Sequence, residues 1–90
     1  MKVIKIGAVW CPGCLVMRPR WVEIEKENAW LKTEYFDFDK DNKAIEKFKI
    51  ESGNLPVFIF LDEKGNEIMR LSGEIEKDEI IKIINENKDK

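Results

Sequence analysis

The sequence predicts an α/β fold: a four-stranded mixed sheet with helices on both faces. Three observations lead there. Short β-branched stretches alternate with stretches of helical apolar spacing through the first half of the chain. Val57 to Leu61 (VFIFL) is apolar on both alternating faces, the mark of a central strand covered on both sides. Asp62 to Asn66 (DEKGN) is a turn that returns the chain as an antiparallel partner before a last amphipathic stretch. The expected order is β-α-β-α-β-β-α in a single domain spanning residues 1–90.

Each element has its own warrant. Lys2 to Val9 (KVIKIGAV) alternates partly and is β-branched, so it reads as a strand. From Cys14 to about Asn28, Cys14, Met17, Trp21 and Ile24 form one helical stripe, with Leu15 and Val22 beside it. Pro12 suits a first helical turn, where its missing N–H is no loss. Pro19 lies inside the pattern and predicts a kink. Thr33 to Phe38 (TEYFDF) is a second strand, and Asp39 or Asp41 offers an N-cap for a short helix carrying Ala44, Ile45 and Phe48.

Ser52-Gly53-Asn54 breaks the chain before Leu55-Pro56 and the central strand. Gly65 supplies positive φ in the following turn, Glu67 to Ser72 is the return strand, and Gly73 breaks again. From Lys77 to about Asn87, Ile80, Ile81, Ile83 and Ile84 give the last amphipathic helix. Trp21 and Trp30 are expected to complete the core, and the terminal NENKDK to fray.

Composition narrows the function. Ninety residues make one small core. With 16 basic and 18 acidic side chains the formal net charge is −2, so no basic field for nucleic acid exists. Val3 to Trp10 is interrupted by Lys5 and is far too short to span a bilayer or to serve as a signal segment, so no membrane partner is expected. Two cysteines cannot form a multi-bridge secreted framework; the chain is expected in the cytoplasm, where a close pair is catalytic or metal-binding. The absence of histidine removes imidazole-based metal sites and triads. Asp37 to Asp41 imitates a calcium loop but places Asn42 and Phe48 where Gly and Glu are required.

The chemistry therefore rests on Trp10-Cys11-Pro12-Gly13-Cys14, between a predicted strand and a predicted helix. Disulfide exchange needs a thiolate, which the free N–H groups and dipole of a helix N-terminus favour. It needs two sulfurs able to bond, and i, i+3 on a first helical turn brings Cα atoms within the roughly 4.4–6.8 Å that a disulfide tolerates. It also needs one exposed and one shielded thiol. Cys11 precedes the helix and is expected to be the exposed nucleophile. Cys14 begins the buried stripe and is expected to resolve. The competing reading is half a zinc site, but two Cys without His would need a dimer to supply four ligands.

Over nearly the whole chain, the sequence resembles the thioredoxin superfamily. Trp10 before the first Cys, Pro19 eight residues after it, Leu55-Pro56 opening a hydrophobic strand, and Gly73 after the hairpin fall where thioredoxins carry equivalents. The resemblance implies a minimal thioredoxin-like fold and a cis Leu55–Pro56 bond lying against the cysteines. It also implies a groove, lined by Trp10, Pro12, Gly13, Leu55, Pro56 and Gly73, in which an extended substrate segment pairs with the backbone.

The departures are specific. Thioredoxins carry Gly-Pro between the cysteines, and here the order is Pro12-Gly13, a glutaredoxin habit. The chain is glutaredoxin-sized and lacks the N-terminal strand and helix of thioredoxins. Asn54-Leu55-Pro56 and Ser72-Gly73 nevertheless depart from the glutaredoxin pattern and point away from glutathione. Lys5 replaces the family's buried Asp, which is thought to help proton transfer at the resolving thiol.

The reading that follows is a thiol–disulfide oxidoreductase that uses Cys11 and Cys14 to reduce disulfides in protein substrates. It needs no cofactor and no metal, acts as a monomer, and draws electrons from a reductase or a low-molecular-weight thiol. The alternatives are a non-catalytic binding module of the same fold, or a dimer holding zinc or an iron–sulfur cluster through paired CxxC motifs.

Overall fold

A computed structural model describes residues 1–90. The elements are β1 (Lys2–Gly7), α1 (Pro12–Glu27), β2 (Lys32–Asp37), α2 (Asn42–Phe48), a 3-10 turn (Ser52–Asn54), β3 (Val57–Leu61), β4 (Glu67–Ser72) and α3 (Lys77–Asn87). One sheet has the order β2-β1-β3-β4. β1 runs parallel to β2, with Lys5 opposite Tyr35 and Gly7 opposite Asp37. It runs antiparallel to β3, with Ile6 opposite Val57, and β4 pairs antiparallel to β3. The fold is thus the mixed four-stranded α/β sheet expected of a thioredoxin-like chain.

Period-two alternation explains why the sheet needs cover on both faces. On one face Val3, Phe58 and Phe60 meet Met17, Trp21 and Ile24 of α1 and Ile80, Ile83 and Ile84 of α3. On the other, Ile4, Ile6, Val57 and Ile59 meet Ile50, with Ile45 and Phe48 of α2 packed at the margin. β3 feeds both layers, which is why its sequence is an unbroken apolar run. Truncating a fully buried member such as Ile59 to Ala should cost about 2–5 kcal/mol.

Local chemistry sets the element ends. Asp62 accepts from Lys64 N at 2.9 Å and Asn66 N at 2.8 Å, and Gly65 takes φ +88°, which closes the hairpin. Asp41 stands at the N-cap of α2, but its side chain accepts from Asp37 N at 2.7 Å instead of from the helix. β2 lies one residue earlier than its pattern suggests; Phe38 leaves the strand while its N–H still donates to Gly7 O at 2.7 Å.

The flank of α1 and one of the tryptophans depart from expectation. α1 is a helix of 16 residues with Pro19 inside it. Its predicted stripe is buried, yet Leu15 and Val22 are 56 % and 59 % exposed, because the helix rests on the sheet along a single seam. Trp21 is core, whereas Trp30 is exposed with Lys88 Nζ 5.5 Å from its ring centroid.

Candidate active site

β1 delivers the chain to the sheet edge, and Ala8–Trp10 turns it into α1. Cys11 is the N-cap residue, in extended conformation with φ −88° and ψ 114°. Its Sγ accepts the Cys14 backbone N–H at 3.2 Å, so the sulfur occupies the place a Ser or Asp oxygen takes at an ordinary cap. Both cysteines are free thiols. With Ala8 they form a small buried cluster, against which Phe38 and Leu55 pack.

Cys11 corrects one expectation. It is only 3 % exposed and Cys14 7 %, so the asymmetry between the thiols is not one of bare exposure. Ala8 packs with both cysteines, and Phe38 and Leu55 close over this cluster, which a reading along the chain could not foresee. The two sulfurs differ instead in environment. Burial first, then the hydrogen bond to Cys11, push the Cys14 thiol up to about 11.

The remaining predicted groove residues come from three segments. The Leu55–Pro56 bond is cis. A Cβ on Gly13 would stand 3.0 Å from Pro56 Cδ, a tight contact that glycine avoids where the helix start lies against that proline. Gly73, at φ +90°, donates its N–H to Pro56 O at 2.8 Å and fixes the chain beyond β4 beside the same proline. Ser72 Oγ donates to Asn54 O, tying the hairpin end to the 3-10 turn. Pro12 is exposed at the helix start. Trp10 is 51 % exposed on the rim, its Nε1 donating to Asp39 Oδ2 at 2.7 Å and its ring edge-on to Phe38 at 6.3 Å.

Several residues of the site escaped the sequence reading. Asp39 is no helix cap; it orients Trp10. Gly7 is the strand residue across from Cys14, where a Cβ would lie 2.9 Å from Cys14 Sγ and 3.3 Å from the Tyr35 hydroxyl. A glycine inside a β-pattern signals a close approach, and that signal was available. Tyr35 carried none, because its neighbourhood depends on the β1–β2 register. Lys5 does not run free to solvent: its Nζ meets Glu25 Oε2 at 2.6 Å and lies 5.7 Å from the Trp21 ring centroid. A cavity of about 90 Å³ lies behind Cys14, lined among others by Lys5, Gly7, Trp21, Tyr35 and Pro56.

No three His, Cys, Asp or Glu side chains converge as a metal site. No helix is long and apolar enough to cross a membrane.

Comparison with known proteins agrees with this geometry. A thioredoxin family model matches residues 1–77. Thioredoxin H5 of Arabidopsis thaliana is 36 % identical over 78 residues, 87 % of this chain and 63 % of that protein. Thioredoxin H3 of the same plant is 31 % identical over 86 residues, 96 % of this chain and 70 % of that protein. The chain thus spans less than two thirds of the length of the H5 relative. Among solved structures, thioredoxin NaTrxh from Nicotiana alata matches with a TM-score of 0.84 at 26 % identity, over 96 % of this chain and 71 % of that one. The family match runs through both cysteines, the Leu55–Pro56 bond and Gly73, so it takes in the entire dithiol site: the chain belongs to the thioredoxin family.

Proposed function

We propose that this protein is a dithiol oxidoreductase that reduces disulfides in protein substrates, with Cys11 attacking and Cys14 resolving. The observation that carries the reading is the Cys14 N–H aimed at Cys11 Sγ at 3.2 Å, at the start of a helix. A thiolate there gains a charge-assisted hydrogen bond and the favourable end of the helix dipole, while Cys14 waits protonated behind it.

The cycle balances as two exchanges. The Cys11 thiolate attacks one sulfur of a substrate disulfide, forming a mixed disulfide and releasing the other sulfur as a thiolate that takes a proton from solvent. The Cys14 proton departs, its sulfur attacks Cys11 Sγ, and the bond to substrate breaks. Two electrons pass to the substrate, and the Cys11–Cys14 disulfide remains. A reductase or a low-molecular-weight thiol returns two electrons and two protons. Trp10, Pro12, Gly13, Leu55, Pro56 and Gly73 form the face on which a substrate segment rests, in keeping with the family's use of this region. The same chemistry needs no cofactor and works in a single copy of the chain, and reduction is the direction expected in the cytoplasm.

The test is covalent trapping. Cys14→Ser should hold protein partners through Cys11 in bonds that dithiothreitol releases, and the wild type should speed dithiothreitol-driven reduction of a test protein disulfide. Failure of both sinks the reading.

A further inference from the structure

The resolving step poses a problem of proton handling, given the dithiol reading above. Cys14 is a buried thiol pushed up to about 11, so near neutral pH it holds its proton and must shed it to attack. The chain has no histidine to take that proton.

The charged and titratable groups facing Cys14 are few. From β1 comes Lys5, a cation already engaged by Glu25 of α1. From α1 come Cys11 and the Arg18 guanidinium, and Arg18 has no acceptor to offer. From β2 come Tyr35 and Asp37; Asp37 Oδ1 is occupied by Asp39 N at 2.9 Å and Lys40 N at 3.2 Å. From the β3 side, Pro56 and Phe58 carry nothing that titrates.

Tyr35 is placed differently. Its hydroxyl and Cys14 Sγ approach one point, the space left by the missing side chain of Gly7, at 3.3 and 2.9 Å. No direct hydrogen bond joins them, but both line the 90 Å³ cavity, whose walls are mainly apolar yet include Lys5, Arg18 and the Tyr35 hydroxyl as polar partners, and which is large enough for water. Tyr35 is also 48 % exposed, so the residue borders solvent as well as the cavity. A hydroxyl is the one group here that accepts and donates at once. Burial first, then Asp37 and Cys14, hold the phenol above its ordinary value, which keeps its own proton in place.

We propose that the Tyr35 hydroxyl relays the Cys14 proton, through water in the cavity behind Gly7, to solvent during resolution of the mixed disulfide. The proton leaves Cys14 Sγ for cavity water and then Tyr35 Oη, while Tyr35 passes its own hydroxyl proton outward. The electron pair left on Cys14 Sγ forms the bond to Cys11 Sγ. The bond from Cys11 to substrate breaks, and the departing thiolate takes a proton from solvent. Tyr35 ends as it began.

The test is single-turnover reaction with the aromatic disulfide 5,5′-dithiobis(2-nitrobenzoate). One equivalent of the coloured thiolate is released on attack by Cys11 and a second on resolution by Cys14. Tyr35→Phe should leave the first phase unchanged and slow the second by about tenfold at neutral pH, below the full range of general acid–base catalysis because water still carries part of the traffic. The deficit should close as pH rises and hydroxide takes over. A second phase within twofold of wild type at every pH overturns the proposal, as does a deficit that does not change with pH, which marks a packing role. A loss in Asp37→Asn with none in Tyr35→Phe overturns it in favour of the carboxylate. A wild-type protein that releases no second equivalent overturns the dithiol reading itself.

Discussion

Gly7 and Cys14 are in contact across the β1–α1 junction so closely that the strand residue has no room for a methyl group. A Cβ at position 7 would stand 2.9 Å from Cys14 Sγ. The thiol is boxed in by the sheet's own backbone.

This contact makes a stability prediction. Gly7→Ala should destabilise the reduced protein by about 1–3 kcal/mol, the usual cost of forcing extra volume into a packed site. In a Cys14→Ala background the same change should cost about 1 kcal/mol less, since the clashing sulfur is gone. Urea denaturation of the four proteins measures the coupling. Strict additivity would show that the sulfur is not what Gly7 accommodates.

The raised Cys14 thiol predicts how stability responds to alkali. Folding lifts this group from an ordinary 9.0 to about 11, so the folded chain keeps a proton that the unfolded chain has lost. The resulting stabilisation is fully present below about pH 9 and is lost as pH climbs through 11. Reduced wild type should therefore lose about 2–3 kcal/mol more than Cys14→Ser across that window, read as denaturation midpoints under reducing conditions. Parallel curves for the two proteins would remove Cys14 as the cause.

Lys5 and Glu25 form a partly buried pair at 2.6 Å, joining the middle of β1 to α1. Glu25→Gln should cost about 1–2 kcal/mol, between the values for exposed and buried pairs, because the ammonium loses its counter-charge inside the fold. The effect should shrink in high salt. A variant as stable as wild type at low salt would show that the cation's position over Trp21 alone suffices.

The fold was legible wherever one segment's own pattern decided its fate. VFIFL had to be a two-faced central strand, and the Cys14–Met17–Trp21–Ile24 spacing had to be a buried helical seam. Cys11 and Cys14 were legible too, since their strand-to-helix setting is local. What escaped depends on register and on partners distant in sequence. Tyr35 reaches the thiol because the β1–β2 register sets it opposite Lys5 and beside Gly7, and the cysteine cluster is covered by Phe38 and Leu55, far along the chain. Trp30 failed because an aromatic at helical spacing says nothing once the helix has ended at Glu27.

The sheet order has a consequence for endurance. The cysteines and the Leu55–Pro56 bond hang from the ends of β1 and β3, the inner pair of a β2-β1-β3-β4 sheet. Fraying begins at edges, where backbone hydrogen bonds face solvent, and reaches the inner ladder only with global opening. Amide hydrogen exchange should be slowest along this inner pair, and the thiols should lose their setting only when the molecule unfolds as a whole. The dithiol is thus anchored in the part expected to open last.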